Sequence, residues 1–277
     1  MFDSKLYFPK FKDGIKLIEH REIKGEIKHC TISKTPTGKF FVSILCEVQH
    51  KQSKTTRKQV GIDLGIKYFA VTSDGFRFKN NRHLKRYERQ LAKTQKQLSR
   101  KVKGSKGRNR QRLKVAAIHE KIANTRLDLL HKVSTRIIKE YDTICLEDLN
   151  VKGMMANHKL AKHIGDASWG RFVKLLEYKA EWNHKQVVKI NRFYPSSKTC
   201  NKCGYIRQEL KLSERQWTCP NGHRLDRDIN ASKNILDEGL RIIGTELSDY
   251  TGGGLRKISE KKYMPTKPEA HLSLASG

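Results

Sequence analysis

The chain has 277 residues, enough for one large domain or two smaller ones, and 58 Lys and Arg against 28 Asp and Glu leave it a formal charge of +30. That excess is more than solubility requires and points to a polyanionic partner. No apolar stretch reaches the roughly 18–20 residues of a membrane span, and Met1-Phe2-Asp3-Ser4-Lys5 lacks a signal core. The expectation is an intracellular, cytoplasmic, nucleoid-associated protein with no membrane partner.

Residues 1–58 alternate apolar and polar positions between turn signals. Ile27–Ile32 and Lys39–Val48 flank Lys34-Thr35-Pro36-Thr37-Gly38, a hairpin pattern, and the region reads as a small or partial β-barrel. Gln59–Leu64 and Tyr68–Thr72 read as two further strands, followed by the Asp74-Gly75 turn. From Arg82 to about Glu140 the period becomes helical. A first arm carries Leu84, Tyr87, Leu91 and Leu98, and Lys103-Gly104-Ser105-Lys106-Gly107 breaks it. A second arm carries Leu113, Ala117, Ile122, Leu129, Val133 and Ile137. Between Arg82 and Lys114 stand fourteen Lys or Arg and a single acid, Glu88. Like charges at helical spacing repel, so Lys96, Arg100, Lys101, Lys103, Lys106, Arg108, Arg110 and Arg112 are candidate phosphate contacts.

Thr143–Glu147 reads as the next strand and Val151 to Asp166 as a loop containing Met154 and Met155. Trp169–His184 is an amphipathic helix with Phe172, Leu175, Leu176 and Trp182 inward, and Val187–Phe193 is another strand. A cysteine loop follows, then a helix from about Ile229 to Leu240, then a Gly-, Ser-, Thr- and Lys-rich tail from 245 to 277, expected to be flexible. The element order predicts a mixed α/β fold of the ribonuclease-H-like type, which places acids at strand ends.

Three acids fit that placement. Asp63 lies in Gly61-Ile62-Asp63-Leu64-Gly65, Glu147 in Leu146-Glu147-Asp148-Leu149, and Asp228 in Asp226-Arg227-Asp228-Ile229-Asn230. Hard carboxylate oxygens suit Mg²⁺, and a pair of such ions can clamp both oxygens of a phosphodiester displacement. Taken singly, each acid is more often a turn former or a helix cap, and Asp226 or Asp228 could cap the last helix. Asp148 must face away from Glu147, because side chains alternate along a strand.

Three cysteines, Cys30, Cys46 and Cys145, sit in strand-like runs and read as small core residues. The other three cluster in a polar loop. Cys200-Asn201-Lys202-Cys203-Gly204 is followed, with fifteen residues between Cys203 and Cys219, by Cys219-Pro220-Asn221-Gly222-His223. This is zinc-ribbon spacing, with His223 the nearest fourth ligand; the alternative is a ribbon that has lost its metal and survives on packing.

These motifs, together with Ser168-Trp169 and Ala231-Ser232, resemble the OrfB/TnpB proteins of bacterial insertion sequences, relatives of type V CRISPR effectors. The likeness runs from about residue 25 to 240. It implies a transposon-associated RNA-guided DNA endonuclease: a RuvC nuclease core over 59–194 with a basic helical hairpin at 82–140, a zinc ribbon inserted at 195–225, and a core C-terminal helix at 226–244. Ahead of these, 1–58 would be part of a wedge-type β-barrel. The family's acidic triad falls on Asp63, Glu147 and Asp228, with Asp63 bridging two Mg²⁺ and the other two acids each completing one site. One Zn²⁺ would sit on Cys200, Cys203, Cys219 and His223. The implied partners are a guide RNA derived from the transposon end and double- and single-stranded DNA. Two departures stand out: the second knuckle lacks its second Cys, and the barrel begins in its second part. The alternative expectation is a shortened nucleic-acid-binding protein that does not cut, a repressor or decay product.

Overall fold

The computed structural model describes residues 5–8, 11–20, 22–48, 54–211, 213–251 and 272–274. They divide into two compact units. The first is built from described residues of Met1–Lys51, Lys85–Asn124 and Lys261–Gly277; the second from those of Gln52–Leu84 and Thr125–Glu260.

In the first unit, β1 (Lys5–Phe8), β2 (Phe11–Ile18), β3 (Glu26–Lys34) and β4 (Phe40–Glu47) join β12 (Leu272–Leu274) in an antiparallel sheet of order β1-β2-β12-β4-β3. The β3–β4 hairpin closes where expected, with Lys34 opposite Phe40 and Gly38 in the left-handed region at φ 90°. Val42 and Leu17 make its small core, against half-buried Cys30 and Ile44. Two helical segments complete the unit: α1 (His83–Ser99) and the first half of α2 (Lys106–Glu140). The seam differs from the sequence pattern. Leu113 is 42% exposed, whereas Val115, Ile118 and Ile122 are buried with Leu91 and Thr94. A polar residue, Gln111, fills the buried site near the tip, where its amide donates to the Thr94 carbonyl. Arg108 donates to the Leu98 and Lys101 carbonyls, capping the end of α1.

The second unit holds a mixed five-stranded sheet of order β7-β6-β5-β8-β9, where β5 is Gln59–Leu64, β6 Tyr68–Thr72, β7 Arg77–Lys79, β8 Thr143–Glu147 and β9 Gln186–Ile190. Strands β5, β8 and β9 run parallel, and β6 and β7 are antiparallel additions. The central strands are apolar on both faces, as a covered sheet requires. One face packs Ile62, Ile144 and Leu146 with Leu130, Ile137, Phe172 and Leu176, so the second half of α2 and α5 (Trp169–Trp182) belong to this core. The other face receives α6 (Arg227–Thr251).

Two glycines permit that last contact. A Cβ on Gly61 would overlap the Ser232 carbonyl, and one on Gly239 would overlap the Cys145 Sγ. Helix α6 therefore lies against the backbone of β5 and against the side chain of buried Cys145 on β8.

Three elements depart from the sequence reading. The expected loop at 151–166 is two helices, α3 (Val151–Met154) and α4 (His158–Ala167). Asn150 caps α3 by accepting from the Gly153 N–H, and Ile164 and Ala167 bury α4 in the core. Strand β9 stops at Ile190 rather than Phe193, because Asn191 starts a turn in which its carbonyl accepts from the Tyr194 N–H. Helix α6 continues to Thr251, beyond the expected end at Leu240. The rest of the expected tail lies outside the described residues, apart from β12. Among the described residues, no helix is long and apolar enough to cross a membrane.

Candidate metal-binding and nuclease site

The parallel register Ile62↔Leu146 puts Asp63 and Glu147 next to one another on β5 and β8. Residues opposite in a parallel pair share a face about 4.8 Å apart. The third acid comes from the start of α6, carried onto β5 by the Gly61–Ser232 approach. All three charges meet at Asp63. Burial, followed by the charges of Glu147 and Asp228, pushes its carboxyl from the ordinary value up to about 8. Arg227 and Arg215 oppose that rise. Burial also raises Glu147, partly offset by the Ser196 hydroxyl, which donates to its Oε1. Asp228 is contacted by Arg215 Nη1 at 3.3 Å and Arg227 Nε at 3.5 Å.

The neighbouring acids are occupied elsewhere. Asp226 caps α6, accepting from the Ile229 N–H at 3.1 Å, and pairs with Arg77 at 2.9 Å. Asp148 pairs with Arg192.

Ser196, Asn230 and Asn234 are residues that motif spacing did not single out for a role here. Asn230 accepts from the Asn201 N–H and donates to the Thr199 carbonyl; Asn234 donates to the Ser196 and Thr199 carbonyls. Both are almost fully buried. They clamp the 196–201 segment onto α6 within two turns of Asp228. The only sequence signal was a pair of Asn at i,i+4 spacing on a helix.

The cysteine loop forms a compact cluster. Ligand atoms of Cys200, Cys203, Cys219 and His223 all lie within 4.8 Å of one another. Cys203 Sγ is 3.8 Å from Cys219 Sγ, and His223 Nδ1 is 3.6 Å from Cys200 Sγ and 3.3 Å from Cys219 Sγ. A tetrahedral ion with metal–sulfur bonds of about 2.3 Å spaces its sulfurs about 3.8 Å apart, so the set fits one ion. Two tight turns build it. Gly204 and Gly222 take φ 74° and 79°, and their N–H groups donate to the Cys200 and Cys219 carbonyls. The Tyr205 N–H leads the effects that bring the Cys203 thiol down to about 6, which favours the thiolate a metal needs. Strands β10 (Gln216–Thr218) and β11 (Arg224–Asp226) form the hairpin that carries the second turn, with Trp217 and Leu225 packed on Cys200 and Cys219.

The basic stretch is exposed as a charge run should be. Lys96, Arg100, Lys101, Lys103, Arg110 and Arg112 are exposed, and Lys106 and Arg108 are half-buried or exposed at the start of α2.

Residues 43–158 match the family model OrfB_IS605, "Probable transposase", and residues 169–235 match "Cas12f1-like, TNB domain". The chain is thus similar to the OrfB/TnpB proteins. A "Putative RNA-guided DNA endonuclease" of Streptomyces pristinaespiralis is 44% identical over 210 residues, 76% of this chain and 52% of that protein. The "Putative RNA-guided DNA endonuclease InsQ" of Escherichia coli strain K12 is 31% identical over 258 residues, 87% and 63% of the two chains. The chain thus spans between half and two thirds of the length of those curated relatives. A solved "CRISPR-Cas12f Ternary Complex" shows a partial likeness, TM-score 0.49 at 19% identity over 71% of this chain and 41% of that one.

Proposed function

We propose that this chain carries the nuclease centre of an RNA-guided DNA endonuclease and that Asp63, Glu147 and Asp228 bind a pair of Mg²⁺ ions there. The observation behind this is the convergence of three carboxylates at one sheet end, Asp63 and Glu147 on adjacent parallel strands and Asp228 on the helix packed against Gly61; burial, then the charges of Glu147 and Asp228, raise Asp63 to about 8. Without a cation such a site costs stability; with one the repulsion becomes ligation. The strand order, with three parallel strands beside two antiparallel ones and α6 on one face, supports a ribonuclease-H-like RuvC core. The names of the relatives support DNA as substrate and RNA as guide. The first unit is read as part of a wedge-type barrel plus the basic hairpin.

Bound divalent ions would supply Lewis-acid stabilisation of the attacking and leaving oxygens. The protein's own groups hold the geometry. Ser196 pins one oxygen of Glu147. The Asp226 cap sets the first turn of α6 and so the position of Asp228. Arg215 and Arg227 put positive charge beside Asp228 where a phosphate would approach. The Cys₃His cluster is read as a structural Zn²⁺ site, since all four positions are protein ligands and none is left open.

The test is cleavage of plasmid DNA by protein copurified with its RNA, with and without Mg²⁺. Asp63→Ala should abolish cutting and leave nucleic-acid binding nearly unchanged, and Asp226→Asn should retain more activity than Asp228→Asn. Cutting by Asp63→Ala at the wild-type rate would refute the triad.

A further inference from the structure

The most exposed large apolar side chain among the described residues is Phe193, at 86%. A lone exposed apolar residue is ordinary on a protein surface, but this one is neither on a tail nor on a loose loop. It occupies the third position of a turn closed by the Tyr194 N–H donating to the Asn191 carbonyl. Its own N–H donates to the Asn191 side-chain oxygen at 2.9 Å.

Both flanks are tied to Glu147. On one side, Ile190 is the register partner of Glu147, and its carbonyl accepts from the Asp148 N–H at 3.2 Å. On the other, Ser196 donates to the Glu147 carboxylate, while its own carbonyl is held by Asn234 of α6. Phe193 lies three positions along the chain from each anchor, so chain geometry keeps it within roughly 11 Å of both. Arg192, beside it, is braced on Asp148. The preceding and following residues thus have partners while the aromatic ring projects into solvent.

A rigid ring held out next to a carboxylate cluster, in a chain of charge +30, matches what single strands use. Basic surface follows the backbone and an aromatic face receives a base. We propose that Phe193 is a stacking platform for a nucleobase of the DNA strand that enters the Asp63–Glu147–Asp228 site. This rests on the nuclease reading for which strand is bound; the stacking itself is tested by binding. The ring would hold the strand close to the carboxylates without reading its sequence, because every base offers a π-face.

The experiment measures binding of a labelled single-stranded oligodeoxythymidine, and of the same oligonucleotide made abasic, at four salt concentrations. The full chain is used in an Asp63→Ala background so that nothing is cut. Phe193→Ala, Phe193→Leu and Phe193→Trp are compared, with melting temperatures as a control; an exposed ring should change them little. Loss of one stack corresponds to about 5- to 150-fold in affinity. Phe193→Ala and Phe193→Leu should both lose that factor, Phe193→Trp should keep wild-type affinity or better, and the abasic strand should bind all four proteins alike. The salt slope should be unchanged, since no charge is removed. Wild-type affinity in Phe193→Ala, full affinity in Phe193→Leu, or an equal loss on the abasic strand would each overturn the proposal. A wild-type chain that stacks the strand but never cuts would instead count against the nuclease reading alone.

Discussion

Replacing Asp63 by Asn should stabilise the metal-free protein at pH 8 and leave it unchanged near pH 4. The folded protein holds the Asp63 proton up to about pH 8, whereas a free aspartate releases it near 3.8. Between these values the native state binds the proton and the unfolded chain does not. Stability of the wild type therefore falls as pH rises, by about 1.4 kcal/mol per pH unit. Four units give an upper bound of about 6 kcal/mol. Asn cannot lose a proton and escapes the penalty. The assay is thermal unfolding of both proteins from pH 4 to 9 in chelator, with the difference between them taken at each pH so that other titrations cancel. The Asn variant should gain several degrees at pH 8. Adding Mg²⁺ at pH 8 should raise the wild type and move the variant less, because a ligand stabilises only the state that binds it. An Asn variant no more stable than wild type at pH 8 would refute the raised Asp63 pKa and with it the burial and crowding that cause it.

Purified protein should contain about one zinc per chain, and Cys200→Ser and His223→Ala should each lower the zinc retained after dialysis against chelator. Gly61→Ala should destabilise by more than about 3 kcal/mol in denaturant titration, because the added methyl meets the α6 backbone rather than a flexible side chain. Arg110→Gln with Arg112→Gln should weaken binding to all nucleic-acid sequences alike and flatten the log K versus log salt slope by about 2 if both contact phosphates. Arg108 is left out of that variant because it caps α1.

Much of the second unit could be read from residue order. Strands β5, β6 and β8 fall where apolar runs lie between turn residues, because a strand covered on both faces must be apolar throughout. The two Cys turns were visible because a metal demands a fixed ligand spacing along the chain. The acids were visible as residue types at strand and helix ends. What no local pattern encodes is which distant residues share a point. That Ser196 holds Glu147, that Asn230 and Asn234 bind the cysteine loop to α6, and that Asp226 is spent on a cap and on Arg77 follow only from the approach of α6 to β5. The loop expected at 151–166 failed for the same reason. Its helices are short, and short helices are settled by caps and burial rather than by propensity. Phe193 shows the limit most directly. In the sequence it ends an expected strand, and only the turn at Asn191 leaves its ring in solvent, three positions from the Ser196 that holds Glu147.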